Sequence, residues 1–264
     1  MTTRLILCFI SIAIIALVTA LPAGAAGKGN ACAPAPAIDP RAEQMVRHMA
    51  DYLTGLNEFT VHADTTMELI TPSDLSLDSD RAIDVSVQRP NHVRINSLVP
   101  DHDRQTFYDG TNVTIYSPRH KLYSVFPARP TIDETVAAAR AMGLELPLAD
   151  LISSDPYSAL IKNARHGYYI GQSLVRGVMC NHLAFRRPDM DWQIWIEAGD
   201  TPLPRRLVIE DRALPGMPKF MATFTEWDVS PNLSSDTFTF TPPPGVNKAK
   251  FVPARGLAGH KPRR

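Results

Sequence analysis

From Glu58 to Phe126, and again from His166 to Thr241, apolar residues recur at every second position, and no other feature constrains this chain as much. A period of two sends alternate side chains to opposite faces of an extended backbone, so each run reads as a half-buried strand. Phe59, Val61, Ala63, Met67 and Leu69 alternate with Thr60, His62, Asp64, Thr66 and Glu68. Ile83, Val85 and Val87 follow, then the turn Arg89-Pro90-Asn91, then Val93, Ile95 and Val99. Tyr108-Asp109-Gly110 has the composition of a hairpin turn before Val113, Ile115 and Tyr116, and Pro118 to Lys121 turns again into Leu122–Phe126. The second series comprises Tyr168 and Ile170 before Gly171, Val178–Arg186, Trp192–Ile196, Arg206–Glu210, Phe220–Val229 and Thr237–Thr241, with prolines between several of them. Strands joined by short turns, with no strand–helix–strand rhythm, predict an antiparallel meander.

Two stretches switch to the helical period. Asp39-Pro40 supplies an N-cap and a first helical residue, and Ala42, Met45, Val46, Met49, Leu53 and Leu56 predict an amphipathic helix over 40–56. Between the two strand series, Thr131-Ile132-Asp133-Glu134 has capping-box spacing and starts a helix running from Ile132 to Met142 before Gly143. Shorter helical pieces are expected at Leu148–Ile152 and from Asp155-Pro156 onward, so 131–162 reads as a helical insert. About ten or eleven strands in one sheet must curl, and one apolar face needs cover. The expected fold is therefore α+β: a large curved antiparallel sheet, a half-barrel, with helices covering its concave face.

The chain begins with the three-part pattern of a secretory signal. Arg4 is followed by a run from Leu5 to Leu17 that is apolar except for Ser11, then by the small residues around Ala23-Gly24-Ala25-Ala26. An apolar run of about 13 residues is shorter than a membrane span, so residues 1–26 are expected to be cleaved and the protein to be periplasmic. Residues 27–38, rich in Gly, Ala and Pro, read as a linker, 39–244 as a single domain and 245–264 as a tail. Cleavage leaves Cys32 and Cys180 as the only thiols. An oxidising compartment permits a Cys32–Cys180 disulfide, while a free buried Cys180 with a separate Cys32 suits the same sequence. Gly29-Asn30-Ala31 before Cys32 fits a lipoprotein signal poorly.

Catalytic chemistry finds little foothold. Gly171-Gln172-Ser173 lacks the second glycine of a nucleophile elbow, and there is neither a Gly-rich phosphate loop nor a His-Glu-x-x-His helix. Asp101-His102-Asp103 is too tightly consecutive to converge on one ion, and Asp189 and Asp191 follow Arg186-Arg187-Pro188 in what reads as a charged turn. No catalytic, cofactor-binding or metal-binding residue is assigned. Asn112-Val113-Thr114 and Asn232-Leu233-Ser234 match the glycosylation pattern, which matters only in a host that glycosylates exported proteins. Trp192, Ile194 and Ile196 share one strand face, as Phe59 and Val61 do on another, and Met45 and Met49 lie on the first helix. In a half-barrel such residues form core and ligand wall alike, so Met45, Met49, Phe59, Val61, Trp192, Ile194 and Ile196 are the candidate lining of an apolar ligand.

Several segments carry a family resemblance. They are Arg89-Pro90-Asn91-His92-Val93-Arg94, Tyr108-Asp109-Gly110, Pro130-Thr131-Ile132-Asp133 and Leu146-Pro147-Leu148-Ala149-Asp150-Leu151. To these add Cys180-Asn181-His182-Leu183-Ala184-Phe185-Arg186, Trp192-Gln193-Ile194-Trp195-Ile196, Pro202-Leu203-Pro204-Arg205-Arg206 and Phe238-Thr239-Phe240-Thr241-Pro242. Over about residues 38–245 the chain resembles bacterial predicted periplasmic proteins grouped as a domain of unknown function. More distantly it resembles the LolA/LolB-like lipoprotein-carrier superfamily. That second resemblance implies an apolar cavity between half-barrel and helices and a partner that is an apolar small molecule or a lipoprotein acyl chain. The expected protein is a non-enzymatic periplasmic carrier in which the helical insert moves as a lid. The alternative is an envelope protein-interaction or stress-sensing module with a packed core; a hydrolase of envelope polymers ranks third. A connected cavity favours the carrier and a filled core the interaction module.

Charge completes the picture. The 27 basic and 27 acidic residues balance, which argues against nucleic-acid binding. The balance averages unlike parts: Lys248, Lys250, Arg255, Lys261, Arg263 and Arg264 lie in 245–264 without an acid, leaving an acidic body. The tail is expected to be disordered and is available for peripheral contact with anionic membranes.

Overall fold

The computed structural model describes residues 37–98, 103–142, 144, 146 and 148–250. The leader 1–26, most of the linker, Cys32, the pair Asp101-His102 and the tail beyond 250 lie outside these residues. The first described helix, α1 (Pro40–Gly55), begins as its sequence dictates: the Asp39 carboxylate accepts from the backbone N–H of Arg41 at 2.8 Å, with Pro40 at the first helical position. Its apolar stripe of Ala42, Val46, Met49, Ala50 and Leu53 is buried.

The strands follow as β1 (Glu58–Ile70), β2 (Ser76–Gln88), β3 (His92–Leu98), β4 (Arg104–Asp109), β5 (Asn112–Ser117) and β6 (Leu122–Pro127). The crossover helices are α2 (Ile132–Ala141), α3 (Ala149–Ile152) and α4 (Pro156–Ile161). Then come β7 (His166–Val175), β8 (Val178–Arg186), β9 (Met190–Glu197), β10 (Pro204–Asp211), β11 (Lys219–Asp228) and β12 (Asn247–Lys248). The order across the sheet is β12-β6-β5-β4-β3-β2-β1-β11-β10-β9-β8-β7. The fold is thus α+β, one open twelve-stranded sheet of half-barrel type with helices over its apolar face.

That order joins two meanders rather than making one. β1 to β6 walk outward from the centre; α2–α4 then carry the chain to the far edge, and β7 to β11 walk back until β11 pairs with β1. The helical insert predicted over 131–162 is this crossover. The register assigns the faces: Phe59, Val61 and Ala63 stand beside Val87, Val85 and Ile83, and on the other side Ala63 and Thr65 stand beside Phe224 and Ala222. This apolar face continues into Leu207, Ile194, Trp192, Leu183 and Phe185 and joins α1, α2, α3 and α4 in one core.

The sheet is not flat. Arg176, in the β7–β8 turn, lies 3.9 Å from Asp64 on β1. Four strand spacings separate β8 from β1, which would be ~19 Å in a flat sheet, so the sheet is twisted.

Four features depart from the sequence reading. Thr237–Thr241 is not a strand: Ser235–Thr237 forms a 3-10 turn, and the chain that follows crosses the polar face of β2–β6. There Phe238 is fully buried against His92, and Phe240 packs 5.1 Å from each of Phe107, Tyr116 and Tyr123. Aromatic alternation alone cannot tell a strand from a strap anchored by its rings. The tail predicted to be disordered from 245 instead supplies β12, which pairs in parallel with β6 and makes the count twelve rather than ten or eleven. The linker's last residue, Ile38, bridges to Gly167 on β7, where a β-carbon would come within 2.8 Å of the Ile38 side chain and 2.7 Å of Phe185. Glycine at 167 is therefore what permits this contact. Finally, β2 starts at Ser76, seven residues before its apolar alternation, because its polar first half pairs along the whole of β1.

Candidate functional site

The apolar seam between the crossover helices and β9–β10 is the candidate site. Leu151 of α3 and Leu160 of α4 face Trp192 on β9 and Leu207 and Ile209 on β10, with Asp150, Arg187 and Met190 completing the wall. The gap they leave is about 20 Å³, room for about one water molecule. Trp192 stacks on Phe185 at 4.3 Å and is only 3% exposed.

The candidate lining residues are brought together, but as packed core. Met49, Phe59, Val61, Trp192, Ile194 and Ile196 are all buried in one cluster, and Met45 packs against it from its partly exposed side. Of these seven, Trp192 borders the gap. Among the described residues, the larger depression lies on the opposite, polar face: about 350 Å³, open, lined by Asp64, Thr65, Thr66, Asp80, Arg81, Ala82 and Leu98.

Two arginines at strand ends hold the helices over the seam. Arg89, just after β2, donates to the carbonyls of Ile152 and Ser153 at 2.9 and 3.1 Å and to that of Leu53 at 3.5 Å. Arg187, just after β8, donates to the carbonyls of Ala159 and Leu160. Helix ends leave carbonyls without partners and carry a partial negative charge, so a guanidinium there meets both needs. Burial pushes both guanidinium pKa values down, and nearby carboxylates oppose it: Asp133 for Arg89, Asp150 and Asp189 for Arg187. Tyr157 ties α4 to α1 through the Glu43 carboxylate, with the Arg47 guanidinium 3.8 Å from its ring centre.

Two buried donors at the seam lack any protein acceptor: Trp192 Nε1 and Arg187 Nε. Both belong to residues lining the gap. A buried N–H without an acceptor costs about 1–3 kcal/mol; Arg89 Nε and Arg206 Nε are also buried without one. Sequence reasoning found Trp192 through its strand face but missed Arg187, which reads as part of a charged turn. Its only sequence signal is the neighbouring pattern Arg186-Arg187-Pro188.

The remaining suspects resolve into structural pairs. Asp191 is bound by Arg186 at 2.8 and 2.6 Å, with Arg212 3.7 Å away, and the Arg186 hydrogen bond holds its pKa below the usual range. Ser173 accepts from Trp195 Nε1 at 3.0 Å. His62, on the polar face, sits between Asp84 at 2.6 Å and Asp64 at 3.4 Å. Cys180 has no disulfide partner among the described residues and is fully buried, and burial pushes its thiol up to about 11. No set of three metal-ligating side chains is gathered among the described residues, and no described helix is long and apolar enough to cross a membrane.

Solved structures resemble this chain only distantly. The structure of LppX, a lipoprotein of Mycobacterium tuberculosis, superposes with a TM-score of 0.48 at 14% identity, over 74% of this chain and 100% of that one. A LolA superfamily protein of Nitrosomonas europaea gives 0.39 at 10% identity, over 75% and 97%. MucB of Pseudomonas aeruginosa, solved with MucA, gives 0.41 at 14% identity, over 76% and 61%. Likenesses this distant say nothing of what the chain binds. No curated protein matches it. Residues 42–252 match the family model of predicted periplasmic proteins designated DUF2092, and this periplasmic chain belongs to that family.

Proposed function

We propose that the protein is a non-enzymatic periplasmic binder of an apolar ligand that carries an oxygen acceptor, such as a fatty acyl chain with its carboxylate or ester group. The observation that carries this reading is the pair of unpartnered buried donors, Trp192 Nε1 and Arg187 Nε, beside apolar walls from Leu151, Leu160, Leu207 and Ile209. Acyl methylenes entering the seam would each contribute about 0.8 kcal/mol, and the headgroup oxygen would satisfy the two N–H groups. With room for one water, the seam is closed; admitting a chain requires α3 and α4 to lift from β9 and β10. The helix-end contacts of Arg89 and Arg187 would break or shift in that motion. The leader 1–26 would deliver the protein to the compartment where such ligands are carried.

A second reading, an envelope protein-interaction module, is favoured by the filled core around Met49, Phe59 and Ile194. A fluorescent fatty-acid titration of residues 27–264 separates the two. Saturable binding that Arg187→Met weakens supports the carrier. No binding, together with recovery of a specific protein partner from cell envelopes, supports the module.

A further inference from the structure

Four of the eleven large hydrophobic side chains exposed among the described residues lie on the outermost hairpin, β7–β8: Tyr168, Ile170, Leu174 and Met179, at 54%, 56%, 65% and 46% exposure. β7 is also an end of the sheet. At its start, Gly167 donates to the Ala37 carbonyl and accepts from the Asp39 N–H, so its backbone points away from β8. At its other end Leu174 pairs with Met179, whose carbonyl accepts from Ala198 on the β9 side. In an antiparallel ladder this alternation turns the N–H and C=O of Leu174 outward, and with them those of Tyr169 and Gln172. Among the described residues no segment pairs with this edge beyond Gly167.

Native sheets blunt such edges with charge, proline or cover. The opposite edge follows that rule, since β12 lies along β6. β7 does not: Gly167–Val175 holds no charged residue and no proline, and only a bulge at Ile170 interrupts it. The Ile38 bridge is one strand contact already made on this edge, but that segment enters α1 directly afterwards. Tyr168 stands beside Ala184 and Leu174 beside Met179, on opposite faces of the sheet. An extended segment, its side chains alternating to both faces, meets both while pairing with the backbone.

Charge selects the segment. Arg165 and Arg176 are exposed at the two ends of the strand, Arg176 with the Asp64 carboxylate 3.9 Å away, and the Arg41 guanidinium lies 3.7 Å from the Tyr169 ring centre. The chain's own residues 251–264 are basic, and a second copy pairing antiparallel would bring its own arginines to the same ends, so like charge disfavours both. We propose that the β7 edge binds an extended segment of another protein, apolar along its middle and acidic at its ends, by strand addition. This goes beyond the seam reading and stands without it.

The test is fluorescence anisotropy with residues 27–264, which contain the compact unit Ala35–Arg264, and the labelled peptide Glu-Asp-Val-Thr-Val-Thr-Val-Asp-Glu. The peptide should bind saturably, and hydrogen exchange should slow at the Gln172 and Leu174 amides. N-methylation throughout its Val-Thr-Val-Thr-Val core should abolish binding, because it removes the donors of the new ladder. Replacing its acids with lysines should weaken binding, and Arg165→Glu with Arg176→Glu should restore it for the lysine peptide. Gln172→Pro takes a donor from the free edge and none from the β8 ladder. It should keep its melting temperature and weaken binding about tenfold; if it unfolds, the methylated peptide decides. The proposal is overturned if the peptide does not bind, if the methylated peptide binds equally well, or if protection falls elsewhere than β7. It is also overturned if the parent protein forms a dimer that Gln172→Pro dissociates, which would assign the edge to a second copy. Fatty-acid binding reads out the seam separately, so either idea can fail without the other.

Discussion

Arg89 Nη1 donates to the carbonyl of Ile152 at 2.9 Å, joining the end of β2 to the end of α3 across 63 residues of chain. The same guanidinium reaches Ser153 and Leu53, so one side chain closes the C-termini of two helices. We expect Arg89→Met to lower stability by about 2–3 kcal/mol, because it removes a charged donor and leaves buried carbonyls unpaired. Urea denaturation measures this. A loss below about 0.5 kcal/mol would show that water replaces the guanidinium without cost.

His62 makes stability depend on pH. The Asp84 hydrogen bond is the main cause of its raised pKa; burial opposes it, and the charges of Asp84 and Asp64 add to it. A raised folded-state pKa favours the protonated native form. The contribution is therefore complete below the unfolded value of about 6.5 and is lost as pH rises through the folded value. The stability difference between the parent and His62→Gln should be largest near pH 5.5 and shrink by about pH 9, read from urea midpoints at both. A difference that grows with pH would contradict the pairing.

Cys180 should be inert in the native protein. Its sulfur is buried and its thiol stays protonated, with a pKa of about 11, so it lacks both access and thiolate character. With Cys32→Ser in residues 27–264, disulfide reagents should label no thiol in buffer and one in denaturant. Rapid native labelling would contradict the burial.

The strap after β11 should contribute through its rings. Phe238 is fully buried and Phe240 sits among three aromatic rings. Phe238→Ala should cost about 3–5 kcal/mol if the strap stays seated, and less if it detaches. In the second case the strap's amides should exchange with deuterium faster than those of β2–β5, while the core remains protected. Unchanged stability with unchanged exchange would refute the anchoring role.

What the sequence discloses here is what is local. The Asp39-Pro40 cap, the Thr131–Glu134 box and the alternation of Phe59, Val61 and Ala63 are each settled within a few residues. All appear as expected, Thr131 accepting from the Glu134 N–H at 3.2 Å. The β1–β11 pairing that joins the two meanders is not legible, because it brings Ala63 beside Phe224 and alternation names no partner. Arg89 and Arg187 read as turn residues; their roles come from helix ends far away in sequence. His62 gains its meaning from register, which places Asp84 directly across from it. The lining residues could be named by face but not judged open or filled, since packing density has no sequence signature.

The central claim, that the seam beneath α3 and α4 takes an apolar ligand bearing an oxygen acceptor, is tested most directly by native mass spectrometry of the protein purified from its own periplasm. The spectrum should show a lipid-mass adduct, one per chain, that is weakened in Arg187→Met and Trp192→Phe while both variants stay folded. Protein that is consistently ligand-free and also ignores added fatty acids would contradict it.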